Sequence, residues 1–219
     1  SAASDVYKRQ HRFGVTDVEA SSHGSWLSGE NQIMDLPTNT LRGKLILDGG
    51  SLAGSFFHRS VLLICQHDEE GAFGLILNRP LSPPPATASP FKLPNSLKNH
   101  SIFVGGPVQP GALSFLMTDA FIDAEEFLPG IALGHHLEDL EEWCQHYSPQ
   151  KSFRLFSGYA GWSPGQLDDE VSKGAWLIHP GNKELIFDHP PQSLWRDIMS
   201  QMGWEERLQA TAPDDLSEN

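Results

Sequence analysis

Apolar residues along this chain fall into short dense runs, set apart by stretches rich in glycine, proline, serine and acids. Leu45-Ile46-Leu47 predicts a strand closed by Asp48-Gly49-Gly50. Val61 to Cys65 is continuously apolar, as suits a strand buried on both faces, and Phe73 to Leu77 is a second such run. The cluster His67-Asp68-Glu69-Glu70-Gly71 between them reads as a turn, so the two runs predict a hairpin. Further short strands are predicted at Ile102–Val104, Leu113–Met117, Ile131–Leu133, Phe153–Phe156, Ala175–Ile178 and Leu185–Phe187. Antiparallel pairing this early argues against a doubly wound parallel sheet.

Two segments switch to helical spacing. From His135 to Tyr147, Leu137, Leu140, Cys144 and Tyr147 share one face and Trp143 widens it, while Glu138, Asp139, Glu141 and Glu142 form the wet face. After Pro190-Pro191, Leu194, Trp195, Ile198 and Met202 make the apolar side of a helix that Gly203 stops. A shorter unit centres on Gly158–Val171: a strand ended by Ser157-Gly158, a glycine turn, then a helix. Ser163 is the expected N-cap, Pro164 the first helical residue, and Gln166 stands at capping-box spacing from Ser163. Leu167 and Val171 give this helix its buried side, and Lys173-Gly174 its stop. The plain reading of the turn is packing that docks Tyr159 and Trp162. The functional reading is a cleft wall in which Trp162 and Gln166 face a ligand or partner.

These patterns divide the chain into a polar, flexible arm over residues 1–40, one domain over 41–204, and an acidic flexible tail over 205–219. Pro80 and five prolines within it make residues 81–100 a stiff surface loop within the domain.

Composition narrows the function classes. The chain has 219 residues and a net charge of −13, with its basic residues scattered, which opposes a direct nucleic-acid surface. No apolar run reaches membrane-spanning length, and the first residues lack the apolar stretch of a signal peptide. Two cysteines, Cys65 and Cys144, both in apolar settings, fit a reducing compartment and a cytoplasmic location.

Ten histidines raise the question of a metal. His135-His136 with Glu138 and Asp139 diverge on a helix, and no His-Glu-x-x-His is present, so no metal site is expected. The Gly49–Gly54 loop lacks the Gly-Lys-Ser/Thr of a phosphate loop, and no Gly-x-Ser-x-Gly elbow occurs. Cys65, inside a buried run near His67, is an inert small hydrophobe or a redox-active thiol. Arg79 either pairs internally with a carboxylate, the favoured reading, or clamps a ligand's carboxylate. Asn78 is expected to satisfy backbone at the strand end.

Taken together, Leu41-Arg42-Gly43-Lys44-Leu45, Arg59-Ser60-Val61 through Cys65 and His67, Gly74 to Pro80, Gly105-Gly106-Pro107-Val108-Gln109, Gly158 to Leu167, and Trp176 carry a resemblance to the AlgH/YqgE family. Its bacterial members are labelled as uncharacterised proteins or as transcriptional regulators. The resemblance spans residues 41–204; the arm and the proline-rich 81–94 depart from it. It implies an α+β fold: a mixed, mainly antiparallel, partly barrel-like sheet flanked by helices. It implies a cytosolic protein without an agreed reaction or cofactor, and a Holliday-junction-resolvase-like protein as a partner.

Three functions follow as expectations, the third of them a thiol sensor at Cys65. The first is a regulatory, partner-binding protein acting indirectly on transcription. The second is an enzyme or small-ligand binder with a cleft near Asn78, Arg79, Trp162 and Gln166. The candidate surface comprises Asn78, Arg79, Gly105, Gly106, Pro107, Tyr159, Trp162 and Gln166, with Cys65 as the redox candidate.

Overall fold

The computed structural model describes residues 40–81, 93, 95–97, 100–118, 125–136, 140, 144, 153–203 and 208. The expected N-terminal arm except Thr40, most of the proline-rich loop, most of the helix over His135–Tyr147 and the acidic tail except Leu208 lie outside them; Leu140 and Cys144 of that helix are described and helical.

Nine strands form one sheet: β1 (Lys44–Asp48), β2 (Val61–Asp68), β3 (Gly71–Ile76), β4 (Ile102–Val104), β5 (Val108–Thr118), β6 (Glu125–Leu128), β7 (Ile131–Gly134), β8 (Phe153–Trp162) and β9 (Trp176–Pro180). Their order is β6-β7-β5-β8-β3-β2-β1-β9, with β4 added on β8. Every pairing is antiparallel except β4 with β8. The predicted hairpin is β2–β3, and its strands run into the acidic cluster, leaving only Glu69-Glu70 to turn. The sheet curls until Leu128 of β6 lies close to Gly43 and Gly181, beside the opposite end of the strand order. No ladder joins β6 to β9 among the described residues, so the sheet is open and a partly barrel-like closure is not confirmed.

Apolar packing fills both sides. One cluster joins Ile46, Leu62, Ile64, Ile76, Trp162 and Trp176; another joins Leu97, Ile102, Phe115, Met117, Phe153 and Leu155. Helix α1 (Gln166–Ser172) buries Leu167 in the first cluster, and helix α2 (Pro191–Gln201) buries Leu194, Trp195, Ile198 and Met199. Met202, expected on that face, is only half-buried, and Met199 takes the position instead.

Three local expectations are corrected. Phe153–Phe156 does not end at Ser157-Gly158; β8 continues through Tyr159 and Trp162 because β3 supplies ladder partners there, Ala72 to Trp162 and Gly74 to Ala160. Helix α1 starts later than Ser163: its N-cap is Gly165, in the left-handed region at φ +72°, without a side-chain cap. Gln166 still reaches back, its Oε1 accepting the Ser163 N–H at 3.1 Å, so half of the capping box forms. Leu185–Phe187 is not a strand but lies in a wide π-type turn, Glu184–Asp188, where only Ile186 is buried.

The glycines of β8 and of the β4–β5 turn meet at one junction. Where β3 parts from β8, β4 enters: the Gly105 carbonyl accepts the Ile76 N–H at 2.9 Å, and the Gly105 N–H donates to Ser157 at 2.9 Å. A Cβ on Gly105 would strike the Gly158 carbonyl, and one on Gly106 the backbone of Tyr159. Close backbone approach, not a ligand, accounts for these glycines.

Candidate functional site

The best-defined constellation grows from the end of β1. Asp48 is followed by two glycines, and a short carboxylate there can turn the chain by accepting N–H groups ahead of it. It does so in full: Oδ1 accepts from Gly50 at 2.8 Å and Leu52 at 3.2 Å, and Oδ2 accepts from Arg59 at 2.7 Å. Asp48 has no exposed surface. Its carbonyl accepts the Trp195 indole N–H at 3.1 Å, which fixes α2 to the same point. The loop of residues 49–60 is thus wound around one buried carboxylate. Leu52 and Phe57 turn inward to the core, Phe57 edge-on to Trp176 at 5.6 Å. Phe56 turns outward and is 42% exposed.

The predicted pair Asn78-Arg79 closes this loop from the other side. Asn78 accepts the Val61 N–H at 2.9 Å and donates to the Arg59 carbonyl at 2.8 Å, as expected of a residue that satisfies backbone. Arg79 donates to the His58 carbonyl at 3.0 Å and lies over the Phe56 ring, 4.9 Å from its centroid. Among the described residues no carboxylate pairs with it, so the internal ion pair expected of Arg79 is not what holds it. Partial burial lowers the affinity of its guanidinium for its proton. Arg59 sits at φ +53°, in the left-handed region uncommon for a side chain of its size, with its guanidinium 5.1 Å from the Trp195 ring. His58 Nδ1 lies 3.4 Å from Asp48 Oδ2, within ion-pair reach but too poorly aligned for a hydrogen bond.

Arg154 stands behind this edge. Buried on β8, it donates to the carbonyls of Leu77 at 2.8 Å and His189 at 3.4 Å and covers the Phe103 ring at 4.6 Å. Burial brings its guanidinium down to about 10, against the opposing pull of Asp188. It ties the end of β3 to the segment leading into α2.

The other predicted residues lie elsewhere. Gly105, Gly106 and Tyr159 form the backbone junction; Tyr159 is buried, which pushes its phenol up, and Pro107 is exposed beside it. Trp162 and Gln166 meet through Glu170. Its Oε2 accepts both the Trp162 and Trp176 indole N–H groups, at 2.9 and 2.8 Å, and its Oε1 accepts from Gln166 at 2.9 Å. Trp162 is paired with Ala72, six residues before Asn78, or roughly 20 Å along the chain at a usual strand rise. The pairs Asn78-Arg79 and Trp162-Gln166 therefore lie toward opposite ends of β3. Cys65 occupies the bulge of β2, buried, its Sγ 3.7 Å from the Leu63 carbonyl. His67 accepts the Leu41 N–H at 3.0 Å and meets Asp168 at 3.3 Å. No group of described residues is arranged to hold a metal, and no described helix is long and apolar enough to cross a membrane.

Sequence reasoning found Asn78 and Arg79 but passed over Asp48, Phe56, His58, Arg59 and Arg154. The signal for the loop was present: an acid at a strand end before Gly-Gly, and Phe56-Phe57-His58-Arg59 in a segment without strand or helix periodicity. Arg154 had no comparable sign.

Comparison with known proteins agrees along most of the chain. A family model described as AlgH-like matches residues 45–207. A UPF0301 protein of Chlorobaculum parvum is 34% identical over 180 residues, covering 78% of this chain and 92% of that protein. A UPF0301 protein of Streptomyces coelicolor is 34% identical over 197 residues, covering 83% and 96%. Among solved structures, the AlgH protein from Pseudomonas aeruginosa superposes with a TM-score of 0.62 at 28% identity, over 81% of this chain and 97% of that one. A protein from Corynebacterium diphtheriae gives 0.63 at 26%, over 78% and 91%.

Proposed function

The chain belongs to the AlgH-like family, and within that family we propose that it works as a regulatory docking protein, binding a protein partner through the loop of residues 49–60 and the adjoining Asn78-Arg79. The observation that carries this reading is Phe56. It is a large ring, 42% exposed, on a loop whose other large apolar residues, Leu52 and Phe57, are packed inward. Loops held rigidly on a scaffold are where binding residues concentrate. Here the rigidity comes from the three N–H groups gathered by Asp48 and from Asn78 bridging to Arg59 and Val61. Arg59 in a left-handed conformation adds backbone strain, a feature that clusters at functional sites. Aromatic and arginine side chains are the commonest anchors of protein interfaces.

Any effect on transcription then runs through the partner, in the cytoplasm, because a net charge of −13 opposes direct contact with DNA. The test is affinity capture from cells of the native host with three baits: the unaltered chain, Phe56→Ala and Ile178→Ala. Ile178 is 41% exposed on β9 and serves as the apolar control. The reading expects one partner lost with Phe56→Ala and kept with Ile178→Ala. The resolvase-like protein implied by the resemblance is assayed directly as well. Identical partners on all three baits would overturn the proposal.

A further inference from the structure

We propose that this surface recognises a carboxylate set beside an aromatic or large aliphatic side chain, so that the partner segment it takes is an acidic, partly apolar peptide. The inference rests on the docking reading above and adds the chemistry of the partner.

Arg79 is its centre. A guanidinium carries five N–H donors in a planar fork. Among the described residues the only hydrogen-bond acceptor of Arg79 is the His58 carbonyl. Its guanidinium carbon lies over the exposed Phe56 ring, 4.9 Å from the centroid. With one N–H on the His58 carbonyl and its cation over an aromatic ring, Arg79 keeps further donors that a partner's carboxylate would take through two parallel bonds. The exposed part of the Phe56 ring supplies an apolar platform next to that fork.

Charge points the same way. The chain as a whole is strongly acidic, yet residues 49–60 contain no Asp or Glu and do contain His58 and Arg59. Asp48, at the foot of the loop, is buried and occupied by backbone N–H groups. Across residues 48–60 and 78–79 the fixed charges are the guanidiniums of Arg59 and Arg79 against the one buried carboxylate of Asp48, a small cationic island in an anionic protein. Such an island attracts an isolated carboxylate, while the surrounding negative charge repels a long polyanion such as nucleic acid.

The test uses the full chain, labelled for observation of arginine Nε–Hε signals by NMR. It is titrated with Ac-Phe-Glu-Glu-Phe-amide, with the neutral Ac-Phe-Gln-Gln-Phe-amide, and with inorganic phosphate. The acidic peptide is expected to shift the Arg79 and Phe56 signals and to bind at least about tenfold more tightly than the neutral one, with affinity falling as salt rises. Arg79→Gln is expected to erase the difference between the two peptides, and Phe56→Ala to weaken both. Circular dichroism checks each fold, and Arg79→Lys, which keeps the charge without the fork, stands in if Arg79→Gln does not fold. Equal binding of both peptides at Phe56 would overturn the carboxylate inference and leave the docking surface standing. Phosphate shifting Arg79 as strongly as the acidic peptide would reduce the site to a general anion trap. If neither peptide moves these signals at millimolar concentration, the inference fails; the capture experiment separately decides the docking reading.

Discussion

The Oδ2 atom of Asp48 accepts the backbone N–H of Arg59 at 2.7 Å, across the whole width of the loop it supports. Eleven residues apart in sequence, the two close the loop as a cross-link would, and Arg59 is held at φ +53° at the point of closure. Removing the carboxylate leaves three N–H groups to find other acceptors. Asp48→Ala is expected to cost ~3–5 kcal/mol of unfolding free energy, the range for stripping a partner from a buried charged network. Asp48→Asn keeps one acceptor oxygen but turns an amide N–H₂ toward a donor, for a loss of about 2 kcal/mol. Urea denaturation measures both; a loss within error of zero for Asp48→Ala would show that the loop is held by other means.

The glycine junction offers a sharper contrast. Gly106 packs against the Tyr159 backbone, which no rotamer change can relieve, whereas a Cβ at Gly111 on β5 meets nothing within 4 Å. Gly106→Ala is expected to destabilise by ~3 kcal/mol or more, at the upper end of overpacking costs. Gly111→Ala is expected to stay within about 0.5 kcal/mol of the parent. Thermal and urea melts of the two variants side by side check this. Equal melting behaviour would mean that β4 and β8 separate easily at Gly105-Gly106.

Most strands were legible because each is a dense apolar run, and α2 because Leu194, Trp195 and Ile198 keep helical spacing. The second half of β8 was hidden because Gly158 and Gly161 have no strand preference of their own; the ladder with β3 and the crowding by Gly105 and Gly106 decide the conformation there. Leu185–Phe187 misled for the opposite reason, since an apolar triplet reads alike in a strand and in a helical turn. For the site, Asn78 was legible as a backbone partner at a strand end. The loop it fastens was not, because its order comes from a carboxylate that collects N–H groups as many as eleven residues away. Local sequence does not encode such a contact.

Glu170 is expected to act as the fastener of α1. Its Oε2 serves two indole N–H groups whose rings stand edge-on at 6.2 Å. Glu170→Ala leaves both buried donors unsatisfied, at ~2–4 kcal/mol in total. Because the rings belong to Trp162 and Trp176, the loss should register as a red shift of tryptophan emission even where the fold survives. Glu170→Gln keeps a carbonyl oxygen for the indoles and is expected to recover more than half of the stability. An unshifted emission spectrum in Glu170→Ala would show that the pair of rings packs without it.

Acid sensitivity has an identifiable contributor in His100. Burial lowers its affinity for a proton below the ordinary value of 6.5, and the hydrogen bond from its Nε2 to the Phe153 carbonyl at 3.3 Å opposes that shift only in part. The ring also packs edge-on to Phe153 at 5.2 Å, which leaves little room for solvation of a cation. With the folded value below the unfolded one, the unfolded chain takes up the proton first as pH falls. The stability that neutral His100 contributes is therefore complete above 6.5 and is lost as pH drops through its lower folded value. Urea denaturation between about pH 7.5 and about pH 5.5, where carboxylates still contribute little, isolates this window. The parent is expected to lose more stability over that interval than His100→Gln, whose side chain does not titrate. Parallel losses in the two proteins would assign the acid sensitivity to other groups and show that His100 accepts its proton in the folded chain as readily as in the unfolded one.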